Sequence, residues 1–143
     1  MPQGYSRMPD TSWAYRVHYT EIRGPNLYTL PPMVEECAKD DPLAQPAFLD
    51  TPEKIEFAQT LLAEPGEYWI GIRKINADNE YGNVAGDKTV ALQEDWFLPW
   101  AQYSRSIGLT CVRMIRRQDD EDSLDINGCT DWHYFICEYD LHH

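Results

Sequence analysis

Three groups of residues in this chain carry chemistry beyond packing: the cysteines, an acidic run, and a band of aromatic and polar side chains. Cys37, Cys111, Cys129 and Cys137 are even in number and widely spaced. None forms a Cys-x-x-Cys pair and no His stands at zinc-ligand spacing, so they point to a disulfide framework and an oxidising compartment. Four cysteines allow three pairings, and spacing does not choose among them. Asp119, Asp120, Glu121 and Asp122 are contiguous hard-oxygen donors with Asp125 close behind. Calcium uses such donors, but the spaced pattern of an EF-hand is missing, and a charge run is usually solvated. Trp96, Trp100, Gln102, Tyr103 and Arg105 combine aromatic anchors with polar handles, the types that dominate protein-interface energetics.

Catalytic patterns are missing. There is no Gly-x-Ser-x-Gly elbow, phosphate loop or His-Glu-x-x-His. His18 and His133 each sit in an aromatic, strand-like context that suits a packed or surface imidazole. Asp131 stands two residues from His133, yet no nucleophile completes a triad. The expectation is a protein without enzyme activity or cofactor.

With 143 residues the chain fits one domain with one substantial core. Its net charge of −12 repels phosphate backbones and anionic membranes, while a basic protein partner or a cation is attracted. Solubility alone explains the same charge equally well. The apolar runs around Tyr68–Ile72 and Trp96–Ala101 are far too short to cross a bilayer, and residues Met1 to Pro9 lack an apolar leader segment. Oxidised cysteines then imply a secreted protein or the ectodomain of a cell-surface protein.

The elements that must position these groups follow from period and punctuation. Trp13 to Tyr19 is rich in aromatic and β-branched residues and predicts a strand, punctuated by Gly24-Pro25-Asn26. Leu27 to Leu30 suggests a short second strand. Pro31-Pro32 opens a helix through Ala38. The clearest helix runs from Thr51 to Glu64, with Thr51 as N-cap, Pro52 at the first helical position, Ile55, Ala58, Leu61 and Leu62 on one face, and Pro65-Gly66 as the stop. Tyr68 to Ile72 reads as a buried strand, Asn76 to Asp87 as loop, Leu109 to Ile115 as a strand, Arg116 to Asp122 as a charged loop and Tyr134 to Tyr139 as the closing strand. No repeat or linker divides the chain. Residues 1–12 are read as an N-terminal tail, 13–140 as the domain and 141–143 as a C-terminal tail.

Four segments in this order resemble the C-type lectin-like domain family. Tyr68-Trp69-Ile70-Gly71-Ile72 is similar to the family's Trp-Ile-Gly-Leu strand, and Cys37 precedes it across a helix, as the first core cysteine does there. Cys111-Val112-Arg113-Met114 resembles the Cys-Val-x-Met strand, and Cys129 with Phe135-Ile136-Cys137-Glu138 resembles the closing Cys…Phe-Ile-Cys-Glu. The resemblance implies an α+β fold, with two helices flanking small antiparallel sheets and a long irregular loop region. It implies the pairings Cys37–Cys137 and Cys111–Cys129, and a core containing Trp69, Ile70, Gly71, Val112, Met114, Phe135 and Ile136. Phe97, Trp100 and Val112 are expected with Trp69 in a core of the long loop, so core packing competes with ligand contact at Trp100.

The family's sugar chemistry is largely absent. Calcium-dependent members draw oxygen ligands from a Glu-Pro-Asn or Gln-Pro-Asp motif and from a Trp-Asn-Asp motif before the third core cysteine. Between Trp100 and Cys111 this chain has neither proline nor carboxylate, and Arg105 there repels a cation. Leu124, Asp125 and Ile126 occupy the Trp-Asn-Asp positions, leaving at most Asp125 as a donor where calcium takes six to eight oxygens. No family-type metal site is expected. The sequence therefore reads as an extracellular adhesion, receptor or matrix module that binds a protein partner, basic if the acidic run steers it. The alternatives are a glycan-binding lectin using direct contacts or a non-standard calcium site (Asp119, Asp120, Glu121, Asp122, Asp125), and an acidic structural or matrix protein.

Overall fold

Alternating aromatic and β-branched residues at the start of the domain form β2 (Trp13–Arg23), four residues longer than the pattern up to Tyr19. The computed structural model describes residues 1–23, 32–74, 80–83, 89–91, 110–118, 123–127 and 132–142. Ahead of β2 comes the two-residue strand β1 (Ser6–Arg7), paired Ser6 to Tyr15 and Arg7 to Ala14. The stretch read as an N-terminal tail thus packs onto the domain: Tyr5 is buried, and its hydroxyl donates to Asp40 at 3.0 Å. The expected strand at Leu27 to Leu30 lies outside the described residues.

Pro32 opens α1 (Pro32–Asp40), which buries Met33 and Cys37. The short β3 (Gln45–Pro46) follows, and then α2 (Pro52–Leu61). Its start is as the sequence predicts. Thr51 is extended, its hydroxyl accepts from the Lys54 amide at 3.2 Å, and Pro52 fills the position whose amide would have no partner. Its end comes before Pro65-Gly66. Leu62 is already extended and donates its N–H to the Gln59 carbonyl, because burying Leu62 in the core turns the chain away.

The apolar run becomes β4 (Gly66–Lys74), the centre of the sheet. β5 (Glu80–Asn83) and β6 (Thr89–Ala91) extend it, so the segment expected to be loop contains a strand. An edge ladder is held by backbone hydrogen bonds, which a polar sequence supplies as well as an apolar one. β7 (Thr110–Arg116) pairs antiparallel with β4 and carries β8 (Ser123–Asn127) on its other side. Arg116, read as loop, is its last residue. β9 (Trp132–Asp140) closes the fold.

Among the described residues the strands form one sheet, ordered β1-β2-β9-β4-β5-β6, with β7 and β8 branching from β4 and β3 pairing with β9. The pairings are antiparallel except β4 with β9, where Tyr68 aligns with Tyr134 and Trp69 with Phe135. β2 and β9 run together from Trp13 opposite Asp140, and the Leu141 N–H adds a bond to the Ser12 carbonyl at 2.7 Å. The two ends of the domain are thereby side by side.

Alternate residues face opposite sides of a sheet. Tyr68, Ile70, Met114, Leu124 and Ile136 join Ile55 and Ala58 of α2 in one core. Trp69, Phe135 and Cys137 join Met33 and Cys37 of α1 in the other. Cys37 and Cys137 form a disulfide across that second core, with Cα atoms 5.7 Å apart and a sequence separation of 100.

Candidate functional site

The candidate contact residues Trp96, Trp100, Gln102, Tyr103 and Arg105, the acidic run Asp119, Asp120, Glu121 and Asp122, and Phe97 lie outside the described residues, as does Cys129. The described strands flank those segments in sequence. β7 begins with Thr110 and Cys111 directly after the first segment, and β8 carries Asp125 opposite Arg113 and Ile126 opposite Val112. Leu124, first of the three positions where calcium-binding relatives would carry Trp-Asn-Asp, faces Met114 and is fully buried. Its side chain belongs to the core and offers no oxygen.

Beneath these strands lies a polar cluster built by register. Trp69 on β4 aligns with Arg113 on β7 and with Phe135 on β9, which brings Glu67, Arg113 and His133 onto the same face. Arg113 Nη1 stands 3.3 Å from Glu67 Oε1 and donates to His133 Nε2 at 2.9 Å, while His133 Nδ1 is 3.1 Å from Glu67 Oε2. With the guanidinium donating to Nε2, the ring proton is on Nδ1 and goes to the carboxylate, so the imidazole is neutral. The nitrogen that a general base would use is occupied by Arg113. The ring packs against Trp69, centroids 4.7 Å apart, and Trp69 Nε1 donates to the Ile22 carbonyl at 3.0 Å. This cluster locks β2, β4, β7 and β9 together.

A second cluster surrounds Asp40, the last residue of α1. Its Oδ1 accepts from Arg16 Nη1 at 3.0 Å, and its Oδ2 stands 2.7 Å from His18 Nε2 and 3.0 Å from the Tyr5 hydroxyl. Burial first, and then the hydrogen bond to Asp40, push the Tyr5 phenol far above its ordinary range. His18 lies flat on Phe135, ring centroids 4.4 Å apart. His18, Asp40 and Cys137 place ligand-type atoms within 4.8 Å of one another. While Cys137 is bridged to Cys37 its sulfur is neutral, and the group is an ion pair beside a disulfide.

The third cluster is centred on Glu138, 1% exposed. Its carboxylate accepts from the Phe48 amide at 3.1 Å and from Gln45 Nε2 at 2.9 Å. Burial pushes this carboxyl up to about 7, against the opposing pull of Lys54 and these two donors. Lys54 is itself buried, paired with Asp50 at 2.9 Å and lying over the Trp13 ring at 3.8 Å from its centroid. The Tyr15 phenol is raised by burial and by the Glu138 charge.

One aromatic surface was not legible in the sequence as a contact region. Tyr19 packs edge-on against Tyr134 with centroids 5.3 Å apart, Tyr68 lies behind both, and Trp132 on the same strand is 59% exposed. Only the period-two spacing of Trp132 and Tyr134 could have placed these two rings on one face.

Comparison with known families and structures extends these observations. A family model, the lectin C-type domain, matches residues 29–139. No curated protein sequence matches the chain. The structure is similar to the C-type lectin domain of murine dendritic cell inhibitory receptor 2, solved in complex with N-glycan (TM-score 0.73, 13% identity, covering 98% of each chain). It is similar to EMS16, an antagonist of the collagen receptor integrin α2β1 (TM-score 0.63, 15% identity, 97% of this chain and 98% of that one). It is also similar to a calcium-independent type II antifreeze protein (TM-score 0.63, 15% identity, 98% of this chain and 94% of that one). At these identities the likeness speaks for the fold alone.

Proposed function

We propose, from the premise that this chain belongs to the C-type lectin domain family, that it is an extracellular recognition module binding a protein partner without the family-type calcium-dependent sugar site. The observation that carries this reading is the lost ligand set: Ile126 stands at the aspartate of the Trp-Asn-Asp motif and Leu124 at its tryptophan. Leu124 is sunk in the core, as packing at the tryptophan position requires, and it supplies no oxygen. The segment between Trp100 and Cys111 adds no carboxylate. With Asp125 as the one remaining donor of that motif, calcium cannot displace its own water shell. Contact falls to Trp96, Gln102, Tyr103 and Arg105, with Trp100 shared between packing and binding. The run Asp119–Asp122 steers a basic partner, an attraction that weakens as salt rises. The Cys37–Cys137 disulfide and the family support a place for the module outside the cell.

Glycan binding is the second reading, favoured by one observation: a structurally similar domain carries N-glycan. Here it would need direct hydrogen bonds and aromatic stacking, or calcium held by Asp119–Asp122 in another geometry. Calorimetric titration with calcium, followed by partner binding with and without chelator, separates the two. The protein-binding reading expects no calcium heat, chelator-insensitive binding to cells, and loss of that binding in a Tyr103→Ala/Arg105→Ala variant. Saturable calcium uptake with thermal stabilisation, coupled to glycan binding, overturns it.

A further inference from the structure

The cluster beside the disulfide has donor chemistry that recognition does not use. Cys37 and Asp40 are three residues apart on α1 and so share a helix face. Arg16 is opposite Cys137 in the β2–β9 ladder, and His18 follows two positions on, on the same face of the sheet. Helix and sheet thus bring the His18 imidazole and the Asp40 carboxylate up to the disulfide. One ring nitrogen of His18, one carboxylate oxygen of Asp40 and Cys137 Sγ lie within 4.8 Å of one another, with the Cys37 sulfur bonded to the last of these. Four donors about 2.0–2.3 Å from a tetrahedral zinc ion are themselves roughly 3.3–3.8 Å apart. His18, Asp40 and Cys137 are at most about 1.5 Å from that spacing, and cutting the bridge frees the Cys37 sulfur to part from Cys137 and join them. The surroundings are nearly dry: both cysteines are fully buried, and the His18 and Asp40 side chains are 14% and 10% exposed.

We infer that reduction of Cys37–Cys137 unmasks a binding site for a zinc-like divalent cation, with Cys37, Cys137, His18 and Asp40 as ligands. A phosphine or thiol reductant supplies two electrons to the bridge. With a phosphine, water contributes the oxygen of the phosphine oxide and the two protons that give two thiols. Binding then releases both thiol protons. His18 gives up the hydrogen bond that Nε2 donates to Asp40, its proton passes from Nε2 to Nδ1 by way of water, and the Nε2 lone pair is then free for the metal. The charges balance: two thiolates and Asp40 against the dication and Arg16, whose guanidinium stays on Oδ1 and leaves Oδ2 to the metal. Tyr5 and Arg16 orient the carboxylate as outer partners. The ion takes over the bridge's task of tying α1 to β9, and reduced chain folds with metal where it fails to fold without it.

Cobalt(II) is the probe, because its visible spectrum reports geometry and thiolate count. The full chain is reduced and refolded with a phosphine, which does not chelate, and titrated with cobalt. The expected result is one tetrahedral ion per chain with the charge-transfer intensity of two thiolates, recovery of the folded circular dichroism, and displacement by zinc. His18→Ala and Asp40→Asn should each weaken binding at least tenfold, and the oxidised chain should leave the His18 ring resonances unmoved on adding zinc. Cys111 and Cys129 are removed as competing thiols in a Cys111→Ser/Cys129→Ser chain. If that chain does not fold, the His18 and Asp40 comparison in the otherwise native sequence decides. A four-thiolate spectrum, a spectrum unchanged by both variants, or no cobalt uptake overturns the inference.

Discussion

Two single positions show how tightly the frame constrains side-chain choice. Gly71 lies where β4 passes the backbone entering α2. A Cβ there would stand 2.6 Å from the Pro46 carbonyl oxygen and 2.8 Å from that of Ala47, and the Gly71 N–H already bonds to the latter. Both obstacles are backbone held by β3 and the Glu138 network, so neither swings aside as a side chain would. Gly71→Ala should therefore cost about 1–3 kcal/mol through forced displacement. Urea unfolding should show a lower midpoint at unchanged slope; an unchanged midpoint would mean that the β3 segment yields freely. Leu124 is the second case. Placing an oxygen donor there by Leu124→Asn removes a fully buried side chain and buries an amide among Tyr68, Met114 and Ile136. A loss on the order of 3 kcal/mol is expected, with no gain in calcium affinity. Thermal melts with and without calcium test both halves, and a metal-dependent rise in midpoint would refute the reading of this position as core.

Elements divide by what their sequences encode. The start of α2 is written locally: an extended Thr51 capping Lys54, then Pro52. Thr51→Ala should cost about 1 kcal/mol in chemical denaturation, because one first-turn amide loses its acceptor. A cost near zero would show that the ion pair of Lys54 with Asp50 already holds that turn in place. The apolar cores of β4, β7 and β9 were legible for the same local reason, as runs such as Trp69-Ile70 and Phe135-Ile136 that end up buried. β5 and β8 were not, since an edge or branch strand is recruited by a neighbour's unpaired backbone and carries no compulsory apolar pattern. β9 looks non-alternating because both its faces are covered, so Phe135, Ile136, Cys137, Glu138 and Tyr139 are all buried in succession. A carboxylate in such a run reads as a solvent-facing residue until the packing of α2 and β3 over it is known. The Asp40 cluster was hidden likewise: Tyr5, Arg16, His18 and Asp40 come from β1's approach, β2 and α1, and no spacing in sequence announces their meeting.

At the scale of the molecule, the fold is a closed loop of chain held at two kinds of lock. The disulfide joins α1 to β9 across a separation of 100 residues, which in the chain-entropy account is worth about 4–5 kcal/mol, comparable to the net stability of a small domain. The Glu138 network joins α2 and β3 to the same strand one residue further on, and it responds to protons. Unfolded, this carboxyl ionises near 4.5; folded, burial holds it protonated up to about 7. Between those values the native state binds more protons than the unfolded one, so the contribution falls as pH rises through the window. The penalty is absent below 4.5 and complete above about 7, where it amounts to about 3 kcal/mol from the difference between the two values. The domain should accordingly unfold more easily at pH 8 than at pH 5.5, opposite to a protein stabilised by carboxylates of lowered pKa. General relief of the −12 net charge on acidification has the same sign, so the native chain alone does not isolate the effect. Glu138→Gln does: it keeps the size and an acceptor for the Phe48 amide while removing the titration. Its unfolding free energy, measured by denaturant at each pH, should vary with a clearly shallower slope between pH 5 and 7, and should meet or exceed the native value at pH 8. Equal slopes in the two proteins would mean that Glu138 is ionised throughout, held by Lys54 across the edge of the core.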